Sequence, residues 1–175
     1  KAPVERQPEV VLTPQRDGST QYRLPRLARS SDSPPGARLP IVTAQSECAS
    51  AQVPVIFDGD DRSRWECPQS PALHWLTVDL GTPAAIGAVV YSLGPSGWNV
   101  PTDLEIETSV DGAAWEPARR GRILRELIEG GLADATSLRA TLSIPPRRAR
   151  YVRLRPVDQP EEFVWFVAEV ELRGP

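Results

Sequence analysis

An all-β, antiparallel sandwich or barrel is the fold class this sequence predicts, and three observations predict it. Short segments alternate apolar and polar residues along much of the chain, the period of a half-buried strand. Nineteen prolines and twelve glycines in 175 residues punctuate those segments and argue against a helical bundle. Hydrophobic residues make up 40% and charged residues 25%, enough apolar material for a core and too much for a disordered tail. The length is that of one ordinary domain.

Residues 1–40 differ from the rest and read as an N-terminal hairpin with a Pro/Ser-rich linker. Val10-Val11-Leu12 and Gln21-Tyr22-Arg23-Leu24 flank Asp17-Gly18, a hairpin-turn signal, and residues 28–36 have linker composition. Two strands alone are marginally stable, so this hairpin either packs on the following domain or is the remnant of a preceding one. Residues 41–175 form the sandwich. Residues 76–80 alternate and stop at Gly81-Thr82-Pro83, and 86–93 are mostly apolar, a strand covered on both faces. Residues 104–110 alternate and end at Asp111-Gly112. Residues 138–144 alternate until Pro145-Pro146 breaks them. In 151–155, Val152 and Leu154 share one face and the arginines take the other, and 167–172 closes the chain. Between strands, residues 122–129 carry Ile123, Leu124, Leu127 and Ile128 at helical spacing opposite Arg125, Glu126 and Glu129, and stop at Gly130-Gly131. This short inserted helix is expected to pack on the sandwich, its apolar face being too small and its charges too mixed for a membrane surface.

Composition excludes several function classes. Net charge is -3, without the basic excess of nucleic-acid binders. The cluster Arg147, Arg148, Arg150, Arg153 and Arg155 has no interleaved aromatic beyond Tyr151. The single histidine, His74, removes schemes needing two imidazoles and the common zinc clusters. The acidic pairs Asp60/Asp61 and Glu161/Glu162 lie in loops with nothing to split their pKa values, and no Gly-x-Ser-x-Gly elbow exists, so no independent catalysis is expected. No apolar stretch approaches the ~18 residues of a bilayer span and no signal peptide opens the chain, so any membrane contact comes through a parent protein. One lysine against nineteen arginines points to a GC-rich bacterial genome, and the lack of methionine even at position 1 reads as a piece of a longer chain. Cys48 and Cys67 are either free buried thiols or one disulfide. Their turn-rich setting favours the disulfide, which would close a ~20-residue loop, stabilise by about 3 kcal/mol and imply an extracytoplasmic location.

Residues 56–65 read Ile-Phe-Asp-Gly-Asp-Asp-Arg-Ser-Arg-Trp, and 75–81 read Trp-Leu-Thr-Val-Asp-Leu-Gly. They are followed by Ser-Val-Asp-Gly-Ala-Ala-Trp at 109–115, Ala-Arg-Tyr-Val-Arg-Leu-Arg at 149–155 and Trp-Phe-Val-Ala-Glu-Val-Glu-Leu at 165–172. In this order and spacing the blocks resemble the discoidin domain, also called the coagulation-factor type C or galactose-binding-like domain, over about residues 42–174. The resemblance implies a jelly-roll-like antiparallel β-sandwich of about eight strands. It places Trp65, Trp75 and Trp115 at positions that are usually buried, and Trp165 is expected to pack as well. It also implies a structural calcium site: Asp58, Asp60 and Ser63 match the loop that holds the ion in many members, Glu169 matches the last-strand ligand, and carbonyls near Val55 and at Ala168 would complete it. All are the hard oxygens that calcium takes; the bland alternative is an Asx-turn loop without metal.

Members of this family mostly bind rather than catalyse, and bacterial members commonly bind sugars as parts of glycan-handling enzymes. The expectation is therefore a carbohydrate-binding module of a larger extracytoplasmic or membrane-anchored bacterial protein, such as a glycosidase or glycosyltransferase. Its partners would be a glycan or cell-wall polysaccharide and the rest of the parent polypeptide. Trp98, in the Gly/Pro-rich connection 94–101, is the candidate stacking platform, with Asn99, His74 and Arg64 as polar partners. The alternative is a docking module with no sugar site, and residues 116–137 read as an insertion that could cover the family's usual site.

Overall fold

The computed structural model describes residues 11–14, 20–23, 36–48, 50–67, 74–95, 99–157 and 163–175. The chain divides into two compact units, Lys1–Asp32 and Ser33–Pro175. In the first, β1 (Val11–Pro14) pairs antiparallel with β2 (Thr20–Arg23), with Leu12 opposite Tyr22. The Asp17-Gly18 turn lies outside the described residues.

The second unit takes in residues the sequence reads as linker. Its first strand, β3 (Arg38–Leu39), precedes residue 41 because Leu39 packs against the core and pairs with Leu172. Then come β4 (Thr43–Ser46), a 3-10 helix (Ser50–Phe57), β5 (Trp65–Cys67), β6 (Leu76–Ser92), β7 (Asp103–Ser109), β8 (Glu116–Arg122), α1 (Leu124–Ala133), β9 (Arg139–Val157), β10 (Trp165–Val167) and β11 (Glu169–Arg173). Strands follow the order β3-β11-β6-β9-β7-β8, with β4 also on β6, while β5 and β10 form a separate ribbon. Every pairing is antiparallel.

β6 and β9 make the sandwich. The start of β6 pairs with β4 and the end of β9, and its later half pairs with β11 and the start of β9. Two register shifts separate these halves, one between Asp79 and Ala84 and one between Ile86 and Ala88. The breaks expected at Gly81-Thr82-Pro83 and Pro145-Pro146 are these bulges, so each predicted pair of strands is one long bent strand. A proline has no N–H for the ladder and is tolerated where pairing lapses. Trp65, Tyr91, Leu104, Ile106, Leu142 and Leu154 are among the fully buried side chains between the layers. Trp65 meets Trp165 edge to face at 5.1 Å, and the Trp165 indole donates to the Tyr91 hydroxyl at 3.1 Å.

Three local expectations are corrected. Residues 116–122 are strand β8, not insertion: it pairs with β7 at the sheet edge, and its charged sequence hides the period while suiting an exposed edge. α1 runs through Gly130 and Gly131 to Ala133. It buries Ile123 and Leu127, but leaves Leu124, Ile128 and Leu132 at 56%, 53% and 72% exposure, a row at i, i+4 and i+8 on its outer side. Trp75 and Trp115 are half-exposed rather than core, because they clamp the guanidinium of Arg153, 4.1 Å from each ring, on the outer face of the sheet. Among the described residues no helix is long and apolar enough to cross a membrane.

Candidate functional site

The 3-10 helix delivers the chain into a tight turn at 58–63. Gly59 takes φ +87, a backbone conformation that favours glycine. Asp58 Oδ1 accepts the Asp60 N–H at 2.8 Å, and its Oδ2 lies 2.9 Å from the Ser63 hydroxyl. The Asp58 N–H reaches back to the Val55 carbonyl at 3.5 Å. From the far end of the sequence, Glu169 at the start of β11 accepts the Gly59 N–H on Oε1 at 2.7 Å, and its carboxyl and that of Asp58 each shift the other's titration.

The electrostatics of this pair are opposed. Burial pushes the Glu169 carboxyl up to about 7; the Gly59 N–H works against that, Asp58 adds to it, and Arg38, 3.9 Å away, opposes it. The Asp60 N–H is the main reason Asp58 is held below the usual carboxylate range, with Ser63 and Glu169 assisting. Two neighbouring carboxyl groups that both ionise repel, and a proton or a cation relieves that repulsion. The structure thus brings together Asp58, Ser63 and Glu169, with the Val55 carbonyl bonded to the Asp58 amide. Asp60 turns its carboxylate to the Arg62 N–H at 3.0 Å on the exposed side. Ala168 is buried, and its N–H donates to the Ser92 carbonyl. Among the described residues no three His, Cys, Asp or Glu side chains converge in a group that could hold a metal ion. What does gather is two carboxyl groups and a hydroxyl, hard oxygens of the kind that calcium takes.

A polar network that sequence reasoning missed fixes the same turn. Asp61 accepts from Ser92 Oγ at 3.1 Å and Ser137 Oγ at 2.7 Å, and pairs closely with the Arg139 guanidinium. Burial pushes its carboxyl up, but the Ser137 and Arg139 bonds outweigh this and hold it below the ordinary range. Arg139 also faces Glu171 at 3.8 Å, so the turn is tied to β6, β9 and β11 at once. Gly94, at φ +66, lets the β6 end approach: a Cβ there would lie 2.3 Å from the Asp61 carbonyl. The only sequence signal was the acidic doublet, whose partners lie about 30 and 80 residues away.

The predicted saccharide contacts fall on separate elements. Trp98 lies outside the described residues. Asn99, next to it, is exposed with φ +49. His74, ahead of β6, is 17% exposed, with Nδ1 3.5 Å from Glu47. Arg64, ahead of β5, donates to Glu66 at 2.6 Å and lies over the Phe166 ring at 5.3 Å. Cys48 and Cys67 form the disulfide, and the Cys48 carbonyl accepts the Trp65 indole N–H, pinning the 3-10 helix to β5.

The model of the F5/8 type C domain matches residues 42–170. No curated protein matches. Among solved structures, the chain is similar to CpGH89CBM32-5 from Clostridium perfringens, in complex with GalNAc-beta-1,3-galactose, at 19% identity and a TM-score of 0.62, over 79% of this chain and 100% of that one. It is also similar to the CBM32 of AlyQ in complex with 4,5-unsaturated mannuronic acid, at 16% identity and a TM-score of 0.58, over 78% and 97%. A truncated AlyQ with CBM32 and alginate lyase domains aligns at 17% identity and a TM-score of 0.59, over 79% of this chain and 34% of that one. At these identities the likeness establishes the fold.

Proposed function

Since the chain belongs to the F5/8 type C domain family, a family of binding rather than catalytic domains, we propose that it is a non-catalytic carbohydrate-binding module of a larger glycan-processing protein. The observation that carries this reading is the full-length match to saccharide-bound modules, with nearly all of each of those chains covered. The module joined to a lyase domain in AlyQ supports a parent enzyme, and the Cys48–Cys67 bridge supports an extracytoplasmic, bacterial cell-surface or secreted setting where disulfides persist. In this reading the ring of Trp98 stacks on the sugar, Asn99 is its hydroxyl partner, and His74 and Arg64 line the approach. Calcium is held by Asp58, Ser63 and Glu169 with the carbonyls of Val55 and Ala168 and by Asp60 once its side chain turns inward; its role is to pin the 58–63 turn to the last strand.

A glycan array followed by titration in calcium, repeated with Trp98→Ala, tests the module reading. Binding in the micromolar-to-millimolar range that disappears in the variant is expected. A folded chain that binds no glycan overturns it. A second reading, a module that docks on a protein partner, draws on the exposed Leu124, Ile128 and Leu132 row and predicts that negative result.

A further inference from the structure

We propose that the cleft lined by Arg38, Leu39, Pro40, Ile41 and Phe57 is a second saccharide subsite that takes a sugar ring carrying a carboxylate. The inference rests on the reading of the chain as a carbohydrate-binding module. It concerns residues of β3, the β3–β4 connection and the 3-10 helix.

The cleft encloses about 340 Å³, the lower range of small-ligand sites. Four of its five lining residues are apolar. Phe57, half-buried at the end of the 3-10 helix, supplies an aromatic wall, and Leu39, Pro40 and Ile41 supply aliphatic surface for the C–H face of a pyranose. The charge comes from Arg38, whose side chain is 48% exposed. Glu169 Oε2 pairs with one guanidinium nitrogen at 3.9 Å, beyond hydrogen-bond distance, and the exposed part of the fork can meet a carboxylate arriving from solvent. Two parallel N–H donors match a carboxylate as they do not match a hydroxyl.

The walls are preformed. Gly36, at φ +79, lies so close to the chain end that a Cβ would fall 2.0 Å from the Gly174 carbonyl, and the Gly174 N–H donates to Ala37 at 3.0 Å. These contacts fix β3 beside β11. The opposite wall is held by the disulfide at one end of the 3-10 helix and by the Asp58–Val55 hydrogen bond at the other. A site built before the ligand arrives loses less to ordering.

The test titrates the whole chain with trimers of galacturonate, mannuronate and glucuronate, each beside its carboxyl-reduced neutral counterpart, and follows backbone amide shifts. At least one uronate is expected to bind about tenfold more tightly than its reduced form, the scale of one charge-assisted contact, with shifts at residues 38–41 and 57. Arg38→Gln should abolish that preference; Phe57→Ala should weaken both forms. Equal binding of charged and reduced trimers, a preference that survives Arg38→Gln, or shifts confined to other residues overturns the subsite. If those outcomes come with Trp98-dependent binding of other glycans, the module reading stands without it; a folded chain that binds no glycan removes both.

Discussion

Arg153 sits between two indoles, 4.1 Å from the centroids of Trp75 and of Trp115, and its guanidinium pairs with Glu107. Next to it Arg155 lies 4.4 Å over Trp75 and pairs with Glu105. Alternation from Val152 to Arg155 told that both arginines face outward, and they do. It could not tell that the two tryptophans follow them, because a tryptophan's destination is set by partners about 40 to 80 positions away. The clamp combines two stacked contacts of about 0.5–1 kcal/mol each with an ion pair of similar size. Arg153→Ala is therefore expected to lower stability by about 1.5–3 kcal/mol in urea denaturation. Arg153→Lys should recover less than half, because an ammonium cannot lie flat between two rings. Full recovery by lysine would show that charge alone, not the stacked plane, holds the face together.

Among the elements, α1 inverts the usual meaning of glycine. Replacing a helical glycine by alanine ordinarily stabilises by about 1 kcal/mol. A Cβ on Gly130, however, would fall 1.8 Å from the Arg139 carbonyl, while one on Gly131 would meet only the flexible end of Leu138 at 3.3 Å. Gly130→Ala should therefore destabilise by about 2 kcal/mol or more as the helix is pushed off β9, and Gly131→Ala should be neutral or gain up to about 1 kcal/mol. Thermal melts of the two variants check this; equal effects of the same sign would mean the helix is not pressed on β9 at Gly130. The pair Gly130-Gly131 reads in sequence as a stop because conformational freedom is visible locally and close packing is not. Most strands were legible for the opposite reason: their signal is local, period-two alternation in β7, the first half of β6 and both halves of β9, and a mostly apolar run in the later half of β6. β8 was illegible because this edge strand fully buries none of its side chains and so needs no alternation, and its arginines serve the edge instead.

For the whole molecule, the decisive tie is the one between the 58–63 turn and the last strand, made by Glu169 and Gly59 across 110 residues of sequence. The family resemblance links Asp58, Ser63 and Glu169; of the Asp61 network beside them only the acidic doublet Asp60-Asp61 is visible in sequence. This tie gives stability a specific pH dependence. The folded-state pKa of Glu169 is raised from its usual 4.5 to about 7, so between these values the folded chain binds a proton the unfolded chain releases. Its contribution is complete below about 4.5 and is lost as pH rises through about 7. The lowered Asp58 carboxyl acts in the opposite sense, but below its usual value of 3.8, outside that window. A calcium ion between the two carboxylates would replace the proton and cancel the loss. In EDTA, Tm is expected to fall between about pH 5 and 7.5, and added calcium should restore it at the upper end while changing little at the lower. Glu169→Gln should flatten the fall attributable to this group and remove the calcium response. A wild-type Tm indifferent to calcium at about pH 7.5 would mean that the carboxyl pair is closed by its proton alone and that the turn works without a metal.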